Sequence, residues 1–390
     1  MHDAPAYIAP GATLGVLGGG QLGRMFAQAA QAAGYGVAVL EPDAHAPAAQ
    51  LVPLQVCAPY DDTDALHRIA RVAAAVTIEF ENVPAAALAW LDDHVPLAPH
   101  AAAVAVCQDR AEEKALYTRV GVPCAPHAVI EDAAGAAAPQ HAALLPGILK
   151  TARLGYDGRG QVTVRTPQEL VAAFAELGGV RCVLERRLEL RDEVSVVIAR
   201  GRDGAQVALP LQRNIHRGGI LFASFAGDGA VDADVGARAL AAARAIAAGL
   251  DYVGVLCVEF FVLADGSLVA NEMAPRPHNS AHHTIDSCDV SQFDLQLRAL
   301  VGAPLVPPRQ HSAAVMLNLL GELWFDGAGV QREPDWAAVL ALPGAHLHLY
   351  GKRAARAGRK MGHLTFTAAT LHEASDSARR ACAALGLEPF

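Results

Sequence analysis

Lysine is the scarcest charge in this chain. Of 31 lysines and arginines among 390 residues, only Lys114, Lys150, Lys352 and Lys360 are lysine. A sequence that writes arginine almost everywhere keeps lysine where a compact point charge is wanted instead of a planar fork. Cysteine is also sparse. The seven cysteines (57, 107, 124, 182, 257, 288 and 382) form no C-x-x-C pair and are odd in number, which excludes a disulfide framework and predicts reduced thiols in a cytoplasmic protein. No uncharged apolar run approaches the ~18 residues of a membrane span, and no positive residue precedes Arg24, so neither a span nor a secretory leader is expected. Basic stripes are missing too. With a formal charge of −9, nucleic acid is excluded as the main partner, and any anionic ligand must meet local cations.

What is present describes a folded protein, 53% hydrophobic and 18% charged, long enough for two or three domains of ~100–200 residues. The segment Lys150 to Gln161 stands out. An apolar run from Leu144 to Leu149 ends in Lys150, and Gly155, Gly158 and Gly160 free the backbone that follows to turn N–H groups toward one spot. That pattern predicts a lid over phosphate, with Lys150 as its point charge; an ordinary glycine-rich hairpin is the alternative.

Residues 12 to 41 read as strand, glycine turn, helix and strand, with Gly18-Gly19-Gly20-Gln21-Leu22-Gly23 fitting G-x-G-x-x-G and Glu41 near the position that binds ribose in dinucleotide folds. Alone this points to an NAD-dependent dehydrogenase, although the same turn serves any βαβ unit that meets an anion. A later strand, Ala75 to Phe80, runs into Glu79-Phe80-Glu81, and ligands of parallel sheets bind beyond such carboxyl ends. Val95 to Ala98 is the expected last strand of this domain. A boundary follows near residue 108, where Asp109 and Glu112 have capping-box spacing before a helix Arg110 to Val120.

Further on, residues 182 to 221 read as antiparallel strands, with Arg213 to Gly219, including His216, as a polar loop. Two strands, Val255 to Leu263 and Leu268 to Met273, flank Asp265-Gly266. A two-residue turn there sets Glu259 directly opposite Glu272. Facing carboxylates ~5 Å apart repel, so a divalent cation with hard oxygen ligands is expected between them. A register slip, a bulge or a neutralising arginine would be the alternatives. Near the C-terminus, Lys352, Arg356, Arg359 and Lys360 gather in an acidic chain, either as a solvated turn or as a phosphate site.

These pieces together resemble one family. Gly18 to Met25, Gly155 to Gln161, Asn271 to Ser280 and Gly358 to His363 are similar to the N5-carboxyaminoimidazole ribonucleotide synthetases, ATP-grasp enzymes of bacterial purine synthesis. The resemblance implies an α/β and α+β architecture: an ATP-grasp fold with an N-terminal preATP-grasp, Rossmann-like domain (1–108), the ATP-grasp domain proper (109–303, lid about 124–190) and a small strand-rich C-terminal domain (304–390). It implies ATP binding by Arg110, Lys150, Gly155, Tyr156, Asp157, Gly158, Arg159, Gly160, Gln161, Glu185, Arg186, Arg187, Leu188, Glu193, His216, Asn271 and Glu272. Magnesium would be held by Glu259 and Glu272. Aminoimidazole ribonucleotide would be met by Gly20, Gln21, Leu22, Glu79, Glu81, Arg276, His278, Asn279, Ser280, Lys352, Arg359 and Lys360. Catalytic roles fall to Arg276, Lys352, Tyr156 and Arg159. The implied reaction consumes ATP and bicarbonate, and the implied setting is a cytoplasmic homodimer, without nucleic acid or membrane, that passes its product to a mutase. A sister ligase that uses formate, such as glycinamide ribonucleotide transformylase, shares the core.

Overall fold

The computed structural model describes residues 7–155 and 160–390. Three sheets organise them. The first is parallel, built from β1 (Thr13–Leu17), β2 (Gly36–Leu40), β3 (Leu54–Val56) and β4 (Ala75–Ile78) in the order β3-β2-β1-β4. Its strands are nearly continuous apolar runs, as expected where helices cover both faces. The strand expected over Val95 to Ala98 is reduced to a single bridge from Leu97 to Val76.

The second sheet is antiparallel and small: β5 (His127–Ile130), β6 (Gly147–Thr151), β7 (Gln161–Val164) and β8 (Cys182–Arg186), in the order β5-β8-β6-β7. The helix Pro167–Glu176 buries Leu170 and Phe174 against Leu149 and Leu184. Lys150 therefore lies on a strand, one residue before its end at Thr151.

The third sheet has nine strands: β9 (Leu190–Arg200), β10 (Gln206–Ala208), β11 (Gln212–Arg217), β12 (Ile220–Ala226), β13 (Gly254–Leu263), β14 (Leu268–Ala274), β15 (Ala313–Leu320), β16 (Ala345–Leu349) and β17 (Lys360–Ala368). Their order is β14-β13-β9-β11-β12-β15-β17-β16, with β10 beside β9. The C-terminal strands join through β12 and β15, so the last segment extends this sheet. The polar loop expected over 213–219 is instead strand β11 followed by a turn, in which Gly218 and Gly219 take φ of 56° and 80°. Pairing on both sides explains the difference, since β9 and β12 accept the ladder that a polar sequence does not advertise.

The β13–β14 hairpin departs from the simplest register in two places. The loop is three residues long, Ala264 to Gly266, closed by Leu263 N–H to the Ser267 carbonyl at 2.9 Å, with Gly266 at φ +82°. Val262 accordingly faces Leu268 and Phe260 faces Ala270. A bulge then leaves Asn271 without a partner and brings Glu259 opposite Glu272. The two departures cancel, so the carboxylates face each other although the two-residue turn does not form. β14 is the sheet's outer strand, and the helix Arg110–Arg119 covers its free edge. That helix starts without the expected capping box. Asp109 accepts from Ala111 N–H, while its other oxygen takes Arg153 and Arg181 at 3.0 and 3.1 Å.

One helix joins first domain to second. Gln292–Val301 opens with a Ser291–Asp294 capping box and sends Phe293, Leu297 and Leu300 into the core beneath β1. Gln296 also donates to Thr77 Oγ1 at 3.1 Å.

Candidate active site

A cleft of about 790 Å³ opens where the three parts of the chain meet. The first domain contributes Gly20, Gln21, Leu22, Glu79 and Glu81; the large sheet contributes Glu259 and Glu272, and the segment after β14 contributes Arg276, His278 and Asn279; the C-terminal turn contributes Lys352, Arg356, Arg359 and Lys360. Arg110 and Gly155 line it as well. Tyr156, Asp157, Gly158 and Arg159 lie outside the described residues.

The glycine turn is filled by the protein's own carboxylates. Glu79 Oε2 accepts from Gly23 N–H at 2.7 Å, and Glu41 Oε2 accepts from Gly19 N–H at 2.8 Å and from Tyr60 OH at 2.7 Å. A Cβ on Gly20 would overlap the Glu79 carboxylate, so glycine is needed there for close approach of a side chain. Glu41 is thus turned inward and is not free to hold a ribose. Two of the turn's N–H groups, those of Gly19 and Gly23, are therefore taken by the protein's own carboxylates, which argues against the pyrophosphate cradle of a dehydrogenase. Burial pushes the Glu79 carboxyl up to about 7, against the pull of Gly23 N–H. Glu81 sits on Arg276, 2.6 Å from Nε. Burial raises its carboxyl, but the guanidinium outweighs that and holds it below the ordinary range.

At the opposite wall, Arg110 Nη1 lies 3.0 Å from Glu272 Oε2. The neutralising arginine weighed against a metal is therefore present, but it serves only one of the two glutamates. Glu259 Oε1 and the side-chain oxygen of Asn271 are buried and find no hydrogen-bond donor among the described residues; the nearest base, His278 Nε2, is 3.8 Å from Glu259. Burial and the adjacent Glu272 raise the Glu259 carboxyl, while Arg110 holds Glu272 below its ordinary value despite burial. One carboxylate oxygen and one amide oxygen with unfilled acceptor capacity, beside a second carboxylate, fit a hard divalent cation.

Behind this wall lies a chain of buried charge that links two sheets. Lys150 Nζ is 2.9 Å from Glu185 Oε2 on β8, and Lys114 Nζ is 3.2 Å from Glu185 Oε1. Lys114 also donates to the Asn271 carbonyl on β14 at 2.9 Å. Burial would raise Glu185, but the two lysines hold it down to about 2. Burial lowers Lys150 more than Glu185 raises it. On the next strands His216 Nδ1 meets Glu193 Oε2 at 2.8 Å, and the glutamate outweighs burial to keep the imidazole above its ordinary value. Arg186 and Arg187 are exposed, and Arg186 donates to the Ala143 carbonyl. Leu188 is half-buried beside them. Gly160 and Gln161 open β7 at the far end of the loop.

Ser280 is placed differently from the expectation that it meets substrate. It is fully buried, 2.8 Å from Ser195 Oγ and 2.9 Å from His278 Nδ1, so it supports His278 from behind. Asn279 exchanges hydrogen bonds with Asn318 at 2.8 and 3.0 Å. Lys352 Nζ donates to the Lys360 carbonyl at 2.7 Å, and burial, reinforced by Arg359, lowers it to about 8. Arg359 donates to the Ala354 carbonyl within the basic turn and lines the cleft.

Sequence reasoning gave Glu113 and Lys114 no role. Lys114 was visible only as one of four lysines, and its place one turn after Arg110 was the available signal. A second group with metal-ligand composition, Asp286, His348 and His363, lies away from the cleft. Its imidazoles are stacked at 4.5 Å and 10°. His348 Nε2 is bonded to Asp286 at 2.9 Å and His363 Nδ1 to Tyr350 OH at 3.0 Å, and parallel rings do not converge their in-plane lone pairs on one point. All seven cysteines are free, and no helix among the described residues is long and apolar enough to cross a membrane.

Three family models cover the chain in sequence: a ribonucleotide synthetase preATP-grasp domain over residues 11–108, an ATP-grasp domain over 115–293 and a phosphoribosylaminoimidazole carboxylase C-terminal domain over 314–377. The N5-carboxyaminoimidazole ribonucleotide synthase of Brucella melitensis is 44% identical over 360 residues, 92% of this chain and 97% of that protein. Its counterpart in Pseudomonas aeruginosa is 42% identical over 91% of this chain and 94% of its own. Among solved structures, the synthetase from Thermus thermophilus superimposes with a TM-score of 0.87 at 39% identity, covering 97% of this chain and 99% of the other. The Aspergillus clavatus synthase, solved with ADP and 5-aminoimidazole ribonucleotide, gives 0.86 at 30% identity, covering 96% and 98%. The chain belongs to the N5-carboxyaminoimidazole ribonucleotide synthase family, ATP-dependent carbon–nitrogen ligases with the ATP-grasp fold.

Proposed function

We propose that the cleft carboxylates 5-aminoimidazole ribonucleotide at the expense of ATP. A bicarbonate oxygen attacks the γ-phosphorus, ADP leaves, and carboxyphosphate forms. The exocyclic amine of the ribonucleotide then attacks the carboxyl carbon. Its C–O bond to phosphate breaks, the nitrogen loses a proton, and phosphate departs with the electron pair.

One observation carries this reading. A wall formed by Glu259, whose Oε1 is an unfilled acceptor, and Glu272 shares one cleft with a basic turn of Lys352, Arg359 and Lys360. The first suits a cation carrying nucleotide phosphates, and the second suits the 5′-phosphate of a ribonucleotide.

Glu259 and Glu272 would hold magnesium, which when bound neutralises and aligns the nucleotide phosphates. Arg110 and Lys150 supply fixed cations to the same phosphates, with Gly155, Gly160 and Gln161 beside them in the nucleotide-binding set. Glu185, Arg186, Arg187 and Leu188 form the nucleoside edge, backed by Glu193 and His216. On the other side Gly20, Gln21 and Leu22 meet the ribonucleotide with Glu79, Glu81 and Asn279. Arg276 and Lys352 stand where charge develops on the carboxyl group, and His278, half-buried and with its imidazole lowered by desolvation and by Arg276, offers a hydrogen bond without adding charge. Tyr156 and Arg159 complete the set from the loop. The reading extends to a cytoplasmic homodimer whose N-carboxylated product is rearranged by a mutase.

The deciding measurement is ADP release with and without aminoimidazole ribonucleotide and bicarbonate. Release that requires both is expected. Release supported by formate in place of bicarbonate would move the chain to the sister ligase chemistry.

A further inference from the structure

The carboxylates of the proposed metal wall owe their arrangement to an irregular piece of backbone, and that backbone is held by side chains. β14 is an outer strand, so one row of its N–H and C=O groups has no neighbouring strand. The bulge adds an unpaired residue, Asn271, immediately before Glu272. An extra residue at that point breaks the alternation that would send neighbouring side chains to opposite faces.

The groups on either side of Glu272 are taken up by one helix. Lys114 Nζ donates to the Asn271 carbonyl at 2.9 Å, and Glu113 Oε1 accepts from Met273 N–H at 3.0 Å. Arg110, on the same helical face at i−3 and i−4, binds the Glu272 carboxylate itself at 3.0 Å. Upstream, Ala270 N–H is bonded to the Pro123 carbonyl at 2.7 Å, so the bulge is clamped before and after. Glu113 and Lys114 are both buried to within 2% of full burial. Side chains with these polar groups at such depth are costly unless their hydrogen bonds are specific.

We infer that Glu113 and Lys114 are positioning residues for the metal wall: by fixing the peptide groups on both sides of Glu272, they hold the Asn271 bulge that presents Glu272 to Glu259. The inference rests on the reading of Glu259 and Glu272 as cation ligands. Lys114 has a second consequence, because the same ammonium lies 3.2 Å from Glu185 on the small sheet. One side chain thereby bridges the metal wall and the nucleoside edge. Glu113 lies deep enough for burial to push its carboxyl up to about 8, so a neutral amide of the same shape is a close mimic.

The test is manganese binding in the presence of ADP, read as loss of the free-ion signal in electron paramagnetic resonance, with thermal midpoints measured in parallel. Lys114→Met and Glu113→Leu are expected to weaken manganese binding by about 10-fold or more, the range seen when partners behind a metal ligand are removed. Glu113→Gln keeps the acceptor for Met273 N–H and is expected to stay within about twofold of the parent, by the same reasoning. If Glu113→Leu does not fold, Glu113→Asp, shorter by one methylene, carries the same expectation. Variants that lower the midpoint yet bind manganese normally would overturn the inference and leave these residues as core. Glu259→Gln and Glu272→Gln, run alongside, keep the two readings apart. If those also bind manganese normally, the metal wall itself is misassigned; if they lose it while the Glu113 and Lys114 variants keep it, only the positioning role fails.

Discussion

Glu259 and Glu272 face each other across β13 and β14, and Arg110 neutralises Glu272 while no donor among the described residues reaches Glu259 Oε1. This asymmetry is what the proposed cation site rests on, in preference to a simple ion pair. If arginine were the whole answer, the second carboxylate would not be left buried with unfilled capacity. Replacing either glutamate with glutamine is expected to raise the magnesium needed for half-maximal ADP release by about 10-fold or more. An unchanged magnesium dependence in both variants would sink the assignment.

Lys150 is buried against Glu185 at 2.9 Å, within the group expected to meet nucleotide. Lys150→Ala should weaken ATP binding by ~2–3 kcal/mol, the scale of a charge-assisted contact in a partly desolvated site. Calorimetry showing normal ATP affinity with lost ribonucleotide binding would reverse the assignment of this wall.

Arg359 lines the cleft with Lys352 and Lys360, and steady-state kinetics can separate their ligand from the nucleotide. Arg359→Ala is expected to raise the KM for aminoimidazole ribonucleotide by about 10-fold, equivalent to ~1.4 kcal/mol, and to leave the KM for ATP nearly unchanged. Such a pattern marks a contact to a non-reacting group. Loss of ATP affinity with a normal ribonucleotide KM would give the basic turn to the nucleotide.

Gly20 has no room for a methyl group beside Glu79. Gly20→Ala should displace that carboxylate, lowering stability by ~1–3 kcal/mol, typical of overpacking, and raising the ribonucleotide KM. A variant with parental melting and kinetics would show that the close approach is dispensable.

The buried acids also set a pH dependence. Glu79 and Glu113, pushed up by burial to about 7 and about 8, keep protons that the unfolded chain has released by pH ~5. Their contribution to stability is full below the unfolded value and is lost as pH rises through about 7 and then about 8. His278, His282 and His363, depressed chiefly by burial, act in the other direction, but only below ~6.5. The thermal midpoint of the metal-free protein should therefore fall between pH ~6.5 and ~8.5, and Glu113→Gln should flatten the upper part of that slope. A midpoint that climbs across this window would contradict it.

The amino-acid sequence by itself determined the local pieces and the family. Apolar runs gave β1, β2 and β4, the three glycines with Gly23 gave the turn before Gln21–Ala32, and Leu144 to Lys150 gave β6 with its cation. Such features depend on period, turn residues and a few neighbours, so they can be read without knowing what lies across the molecule. Tertiary structure alone decided the rest. The facing of Glu259 and Glu272 was anticipated from a two-residue turn that does not form; it arises from a longer loop corrected by a bulge at Asn271, and that bulge is held by Lys114 from 157 positions away. The polar stretch Gln212–Arg217 became a strand because β9 and β12 lie ready on both sides. Glycine-turn N–H groups that fit a dinucleotide are filled by Glu41 and Glu79, which only folding brings there. In each case the deciding partner is distant in sequence, and the energy that selects the arrangement comes from burying and satisfying polar groups across that distance.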